Sequence, residues 1–249
     1  MKGILLAVVL VLAPVAQAEV LLSEVYGVEL SAWRARAGFH QLSLNGNAPQ
    51  DIEALESVLS RGATLVERVR AGASAEQSAV AGELVALWQE LSERALDNPL
   101  ATLGYADFNA FSELNTLVLE VIRRCEALAA GATPGDHDSL LETGIVLQRL
   151  ASEYLALTAF PSAGINTGTT EPALNFTAES MRFEQGLEAE QQRYRQDDRM
   201  SRLLSQTQTR WRFIRNAVPE MDNPDSAKVP LLFHRYSSQI TEDLMAQLP

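Results

Sequence analysis

The chain has 249 residues, 47% of them apolar, and its 32 acidic residues outnumber 20 Lys and Arg to give a formal charge of -12. That apolar content excludes a disordered chain, and the acidic balance argues against a nucleic-acid partner, which needs a basic face to neutralise phosphates. A single cysteine, Cys125, excludes an intramolecular disulfide and a cysteine metal cluster, and the length accommodates one large domain or two small ones.

Residues 1–18 read as a secretory signal. Lys2 supplies the positive start, Ile4 to Leu12 the apolar stretch, and Ala16-Gln17-Ala18 the small-x-small cleavage site. Pro14 interrupts the apolar run, which falls short of the roughly 20 residues that a spanning helix requires. Cleavage after Ala18 would start the mature chain at Glu19. No cysteine stands directly after that point to carry a lipid, and no later segment is apolar enough to span a bilayer. The expected location is therefore periplasmic or secreted, with no transmembrane segment once the leader is removed.

Beyond the leader the apolar periodicity is helical nearly throughout, so the expected fold class is all-α. Val25, Val28, Ala32, Ala35, Phe39 and Leu42 define one face of a first helix, which Asn45-Gly46-Asn47 ends. Pro49 opens a second helix with a stripe of Ile52, Leu55, Leu59, Val66 and Val69, and Gly62 sits in the gap of that stripe. Ser74 and Gln77 have capping-box spacing ahead of a third helix carrying Val80, Leu84, Leu87, Leu91 and Trp88. Asp97-Asn98-Pro99 breaks it. A fourth stripe runs from Phe108 through Cys125 to Leu128, which places the thiol on a buried face.

Residues 131–138 hold Gly, Pro and Asp with no periodicity and read as a linker. The pattern then repeats. Pro172 precedes Trp211 by the same 39 residues that separate Pro49 from Trp88. Glu179-Ser180 follows Pro172 at the spacing of Glu56-Ser57 after Pro49, and Asp222-Asn223-Pro224 echoes Asp97-Asn98-Pro99. Gly144-Ile145-Val146-Leu147 matches Gly27-Val28-Glu29-Leu30. Four features in order suggest an internal duplication, with one four-helix unit over 19–130 and a second over 139–249. Between Phe176 and Val218 the sequence leaves two readings open. One is a hairpin signalled by Asp197-Asp198, the other a single helix of about 43 residues, roughly 65 Å long.

Tandem four-helix units with a tryptophan on the third helix resemble the periplasmic sensor domain of type IV pilus chemotaxis transducers (PilJ-type), related to the nitrate- and nitrite-sensing helical domains. Gln148-Arg149-Leu150-Ala151-Ser152-Glu153-Tyr154 is similar to the second half of that family's first-helix motif. Where the motif has Arg-Met-Leu-Ser, this chain has Gly144-Ile145-Val146-Leu147, so the arginine presented to an anion in related sensors is absent. Arg34 and Arg36 lie in the comparable helix of the first unit. The resemblance implies a ligand-binding site containing Gln148 and Arg149.

Little else points to chemistry. His40, His137 and His234 are far apart and lack metal-ligand spacing, and no nucleophile elbow, phosphate loop or dinucleotide fingerprint occurs. Asp136-His137-Asp138 is expected to be solvated. Seven arginines fall between 193 and 215. They read as a solvated face balanced by nearby acids, or as an anion site in which Arg210 is a further candidate. The loop from Thr158 to Glu171 is the expected place for a partner or lid. The resulting expectation is a non-enzymatic, sensor-like envelope protein without metal or cofactor. It would bind a small anion or carboxylate, or dock to a membrane-embedded receptor or other envelope protein. The alternative is a structural scaffold of the envelope or pilus machinery with no small ligand.

Overall fold

A computed structural model describes residues 19–105, 107–160, 174–223 and 225–248. The expected leader and most of the 158–171 loop lie outside the described residues. Within them the chain is all-α, with no β-strand; one isolated bridge joins Leu21 to Thr133. The helices are α1 (Leu22–Asn45), α2 (Pro49–Gly72), α3 (Ser78–Leu96), α4 (Pro99–Leu103), α5 (Phe108–Ala129), α6 (Asp138–Ala159), α7 (Phe176–Arg193), α8 (Asp198–Ile214) and α9 (Pro230–Met245).

Most boundaries follow from local chemistry. Gly46, at φ 70°, closes α1 by donating to the Leu42 carbonyl, a left-handed conformation that favours glycine. Ser74 and Gln77 form the expected reciprocal box: the Gln77 N–H donates to Ser74 Oγ at 3.3 Å, and the Ser74 N–H to Gln77 Oε1 at 3.2 Å. Asp97-Asn98-Pro99 does more than break a helix. The Asn98 side chain caps the short α4 and donates to the Phe39 carbonyl at 2.7 Å, which ties α3 to the end of α1. Asp197 accepts from the Arg199 and Met200 amides and starts α8, so the stretch after Phe176 is a hairpin.

Hydrogen bonds pin the linker, in which Asp136 is exposed as expected, His137 is half-buried and Asp138 is buried. Thr133 donates to Val20 and accepts from Leu22, Tyr194 reaches the Asp136 carbonyl at 2.7 Å, and His137 Nδ1 lies 3.0 Å from the Tyr194 hydroxyl. Asp138 is buried and accepts from the Gly135 amide.

Helices α1, α2, α3 and α5 enclose one core, containing Phe39, Leu59, Val66, Trp88, Leu114 and Cys125. Helices α6, α7, α8 and α9 enclose a second, containing Leu150, Tyr154, Phe183, Leu204, Trp211 and Phe233. In each unit consecutive helices pack side by side and the last returns to the first. The largest helix–helix interface, however, is between α1 and α6, the first helix of each unit. These two run parallel. Leu30 lies at Gly144, Arg36 reaches Ser152 and Glu153, and the His40 ring is 6.0 Å from that of Phe160.

This seam changes the character of α1. The sequence shows a single apolar face, but the opposite face is covered by the other unit, so Arg34, Arg36 and His40 are buried together with the stripe. Arg36 is fully buried; it donates to Ser152 Oγ at 2.9 Å and pairs with Glu153 at 3.2 Å. Both remaining tryptophan anchors behave as core residues. Trp88 lies flat against Gly62 and donates to the Leu59 carbonyl, whereas Trp211 meets Phe183 edge-on and donates to Glu184.

Two substitutions test this packing. A Cβ at residue 62 would come within 1.9 Å of Trp88 Cζ2, so Gly62→Ala should lower the unfolding free energy by at least about 2 kcal/mol in urea titrations. Arg36→Ala should cost about 3–5 kcal/mol, and Arg36→Met, which restores the volume without a charge, should recover much of that loss in the same assay.

Candidate functional site

The α1–α6 seam is flanked by two clefts built from corresponding helices. One lies between α1 and α2 of the first unit and α9 of the second. The other lies between α6 and α7 of the second unit and α1 and α5 of the first. Both draw charged side chains from each unit, and they differ in sign.

The first cleft encloses about 380 Å³, within the size range of small-molecule pockets. Its charged lining is Arg34, Arg61 and Arg235 against Asp51 and Glu242. Arg34 is 6% exposed and already committed: its guanidinium pairs with Glu242 at 2.5 Å and approaches the Met245 sulfur. Burial pulls its pKa below the ordinary value, and Glu242 opposes that shift. Asp51 accepts from Gln41 at 2.7 Å and from Asn45 at 2.8 Å. Arg61 and Arg235 are exposed and form no ion pair among the described residues. His234 is half-buried in the same wall. Burial, reinforced by Arg34, pushes its pKa down to about 4, so the imidazole is neutral at physiological pH.

The second cleft, of about 240 Å³, is lined by Glu29, Glu126, Glu142 and Glu179 against Arg149 and Arg182. Arg182 pairs with Glu142 at 3.0 Å. The Arg149 and Arg36 guanidiniums each lie 5.8 Å from the centroid of the Trp33 ring, within cation–π range. Burial raises the Glu29 pKa to about 7, helped by the like charges of Glu126 and Glu142 and opposed by Trp33 and Arg149. The Cys125 thiol is buried, and desolvation followed by Glu29 and Glu126 pushes its pKa well up, which keeps it in the inert thiol form.

The three residues singled out by sequence do not converge. Gln148 is fully buried between α6 and α9, where Oε1 accepts from Thr241 Oγ1 at 3.2 Å. Arg149, one position on, points to the glutamate-rich cleft, whose four carboxylates disfavour an anion. Arg210 pairs with Asp243 across α8 and α9. The basic run of 193–215 likewise disperses: Arg193 reaches Ser139, Arg199 reaches Gln247, and Arg215 faces Glu184 at 3.6 Å. Glu56 is exposed, whereas Ser57 and Glu179 line opposite clefts. Among the described residues no group of three or more His, Cys, Asp or Glu is placed to hold a metal ion.

Sequence reading missed Arg61 and Arg235, because an exposed arginine on an amphipathic helix carries no local mark of function. Arg34 did carry one, a charge inside an otherwise apolar helix. No family model matches the chain, and neither a curated protein nor a solved structure matches it.

The Glu29 carboxyl gives a pH signature with a definite sign. Its folded pKa, about 7, exceeds the usual 4.5, so its contribution to stability is full below pH 4.5 and is lost as pH rises through 7. Glu29→Gln should therefore be more stable than the parent at pH 8, by on the order of 1–3 kcal/mol, and the difference should shrink to nothing near pH 4. Urea titrations of both proteins across that range measure it; parallel curves would refute the assignment.

Proposed function

We propose that this chain is a non-enzymatic, exported helical binding protein of the sensor type, which holds a small anion between its two four-helix units. One observation carries the reading: the cleft beside the seam contains arginines from both units, two of them without a counter-ion among the described residues, on a chain whose net charge is -12. An excess of positive charge concentrated in a concave site is where an anionic ligand gains most. The leader read in residues 1–18 supports export, and the tandem helical units with the Gln148–Tyr154 fragment support kinship with PilJ-type and nitrate-sensing domains. Because the cleft spans both units, a ligand would favour one of their relative arrangements, which a membrane-embedded receptor or other envelope protein would read.

A second reading has its own observation. Leu103, Tyr105 and Phe108 beside α5, and Phe213, Val229, Leu231 and Leu232 beside α9, are exposed apolar side chains gathered at the end of the molecule where α1 and α6 terminate. Such a surface suits a scaffold that docks on another envelope component.

Thermal melting against nitrate, nitrite, phosphate and small carboxylates separates the two. A ligand that binds only the folded state raises the melting temperature saturably, by an amount set by its concentration over Kd. The expected result is such a rise with at least one anion, retained in Arg149→Ala and Arg210→Ala. No rise with any anion would overturn the binding reading in favour of docking.

A further inference from the structure

We propose that the cleft formed by α1, α2 and α9 is a site for a small organic dianion of the dicarboxylate class, one carboxylate taken by Arg61 of the first unit and the other by Arg235 of the second. The inference rests on the binding reading above and names its ligand chemistry.

The free donors, rather than the net charge, point to the valence. Arg34 and Glu242 neutralise each other, whereas Asp51 accepts from the neutral amides of Gln41 and Asn45 and keeps its charge, so the lining carries a single net positive charge. What remains unanswered is one exposed guanidinium on α2 and one on α9. Each offers a planar fork of donors that fits a carboxylate in two parallel hydrogen bonds. A ligand with two carboxylates can meet both forks in full, whereas a single carboxylate has to divide its two oxygens between them.

The rest of the lining decides between an organic and an inorganic ion. Ala54, Leu55, Val58 and Leu231 supply an apolar part of the same lining, suited to a short carbon chain. Ser57 and Gln239 offer further hydrogen bonds at the rim. His234, neutral above about pH 4, adds a polar contact without a charge. An ion held in this way joins α2 of one unit to α9 of the other, beside the α1–α6 seam and the Arg34–Glu242 pair that already links α1 to α9, so occupancy would lock the two units in register.

The test is isothermal titration of the chain with succinate, butyrate and inorganic phosphate, in the parent and in Arg61→Ala, Arg235→Ala and Arg212→Ala. The first two arginines are exposed and make no ion pair among the described residues, so their removal should leave the fold intact; Arg212 is an exposed arginine on α8 outside the cleft. Succinate should bind at least tenfold more tightly than butyrate or phosphate. Its affinity should fall roughly ten- to hundredfold in Arg61→Ala and in Arg235→Ala, the range for a lost charge-assisted hydrogen bond, and stay unchanged in Arg212→Ala. Equal affinity for succinate and butyrate would overturn the dianion assignment. Succinate binding indifferent to both cleft variants would overturn the site while leaving the binding reading standing. No heat with any of the three probes, together with no thermal shift across the anion panel, would overturn both.

Discussion

The contact between Arg36 on α1 and Ser152 with Glu153 on α6 is the constraint on which the arrangement of the two units depends. A fully buried guanidinium is costly unless its donors are met, and the observed register of the two parallel helices brings Ser152 and Glu153 to its two terminal nitrogens. Apolar contacts along the seam favour association, but they are tolerant of small shifts. The buried pair supplies the specificity, at a cost in desolvation that the surrounding hydrophobic burial offsets.

Because the seam is made by the first helix of each unit, the clefts on its two sides are built from corresponding helices: α2 and α9 beside α1, α7 and α5 beside α6. The two clefts use helices at corresponding places in the order of each unit, but their charges differ. One cleft collects arginines and the other glutamates, which separates regions of opposite potential by the width of the seam. The titrating groups reinforce the contrast. In the acidic cleft, Glu29 gains a proton as pH falls towards and below 7; in the basic cleft, His234 stays neutral to about pH 4. The first group favours folding in acid, and the second, with its pKa lowered from 6.5, is a liability there.

Several features were legible because they are local. The glycine after α1, the proline opening α2, the Ser74–Gln77 box and the Asp197 cap each act within four residues, where backbone geometry and side-chain reach are readable from spacing. The same locality explains the failures. Asn98 does end the helix as read, but its further bond to Phe39 spans 59 positions, and the half-buried His137 meets Tyr194, a partner that spacing does not reveal. Arg149 was found by motif likeness, but spacing alone does not reveal that its surroundings are acidic.

Sequence by itself determined the all-α class, the punctuation of the helices and the apolar stripes, since helical period and capping are properties of neighbouring residues. Tertiary structure alone decided that the middle of α1 is buried on every side and that Arg61 and Arg235, 174 positions apart in the chain, line one cleft. Helix faces are fixed by local periodicity, whereas the partner covering each face is fixed by which burial satisfies the most apolar area and strands the fewest charges. That is a property of the whole chain at once, and here it is what brings two unpaired arginines from separate units to one cleft.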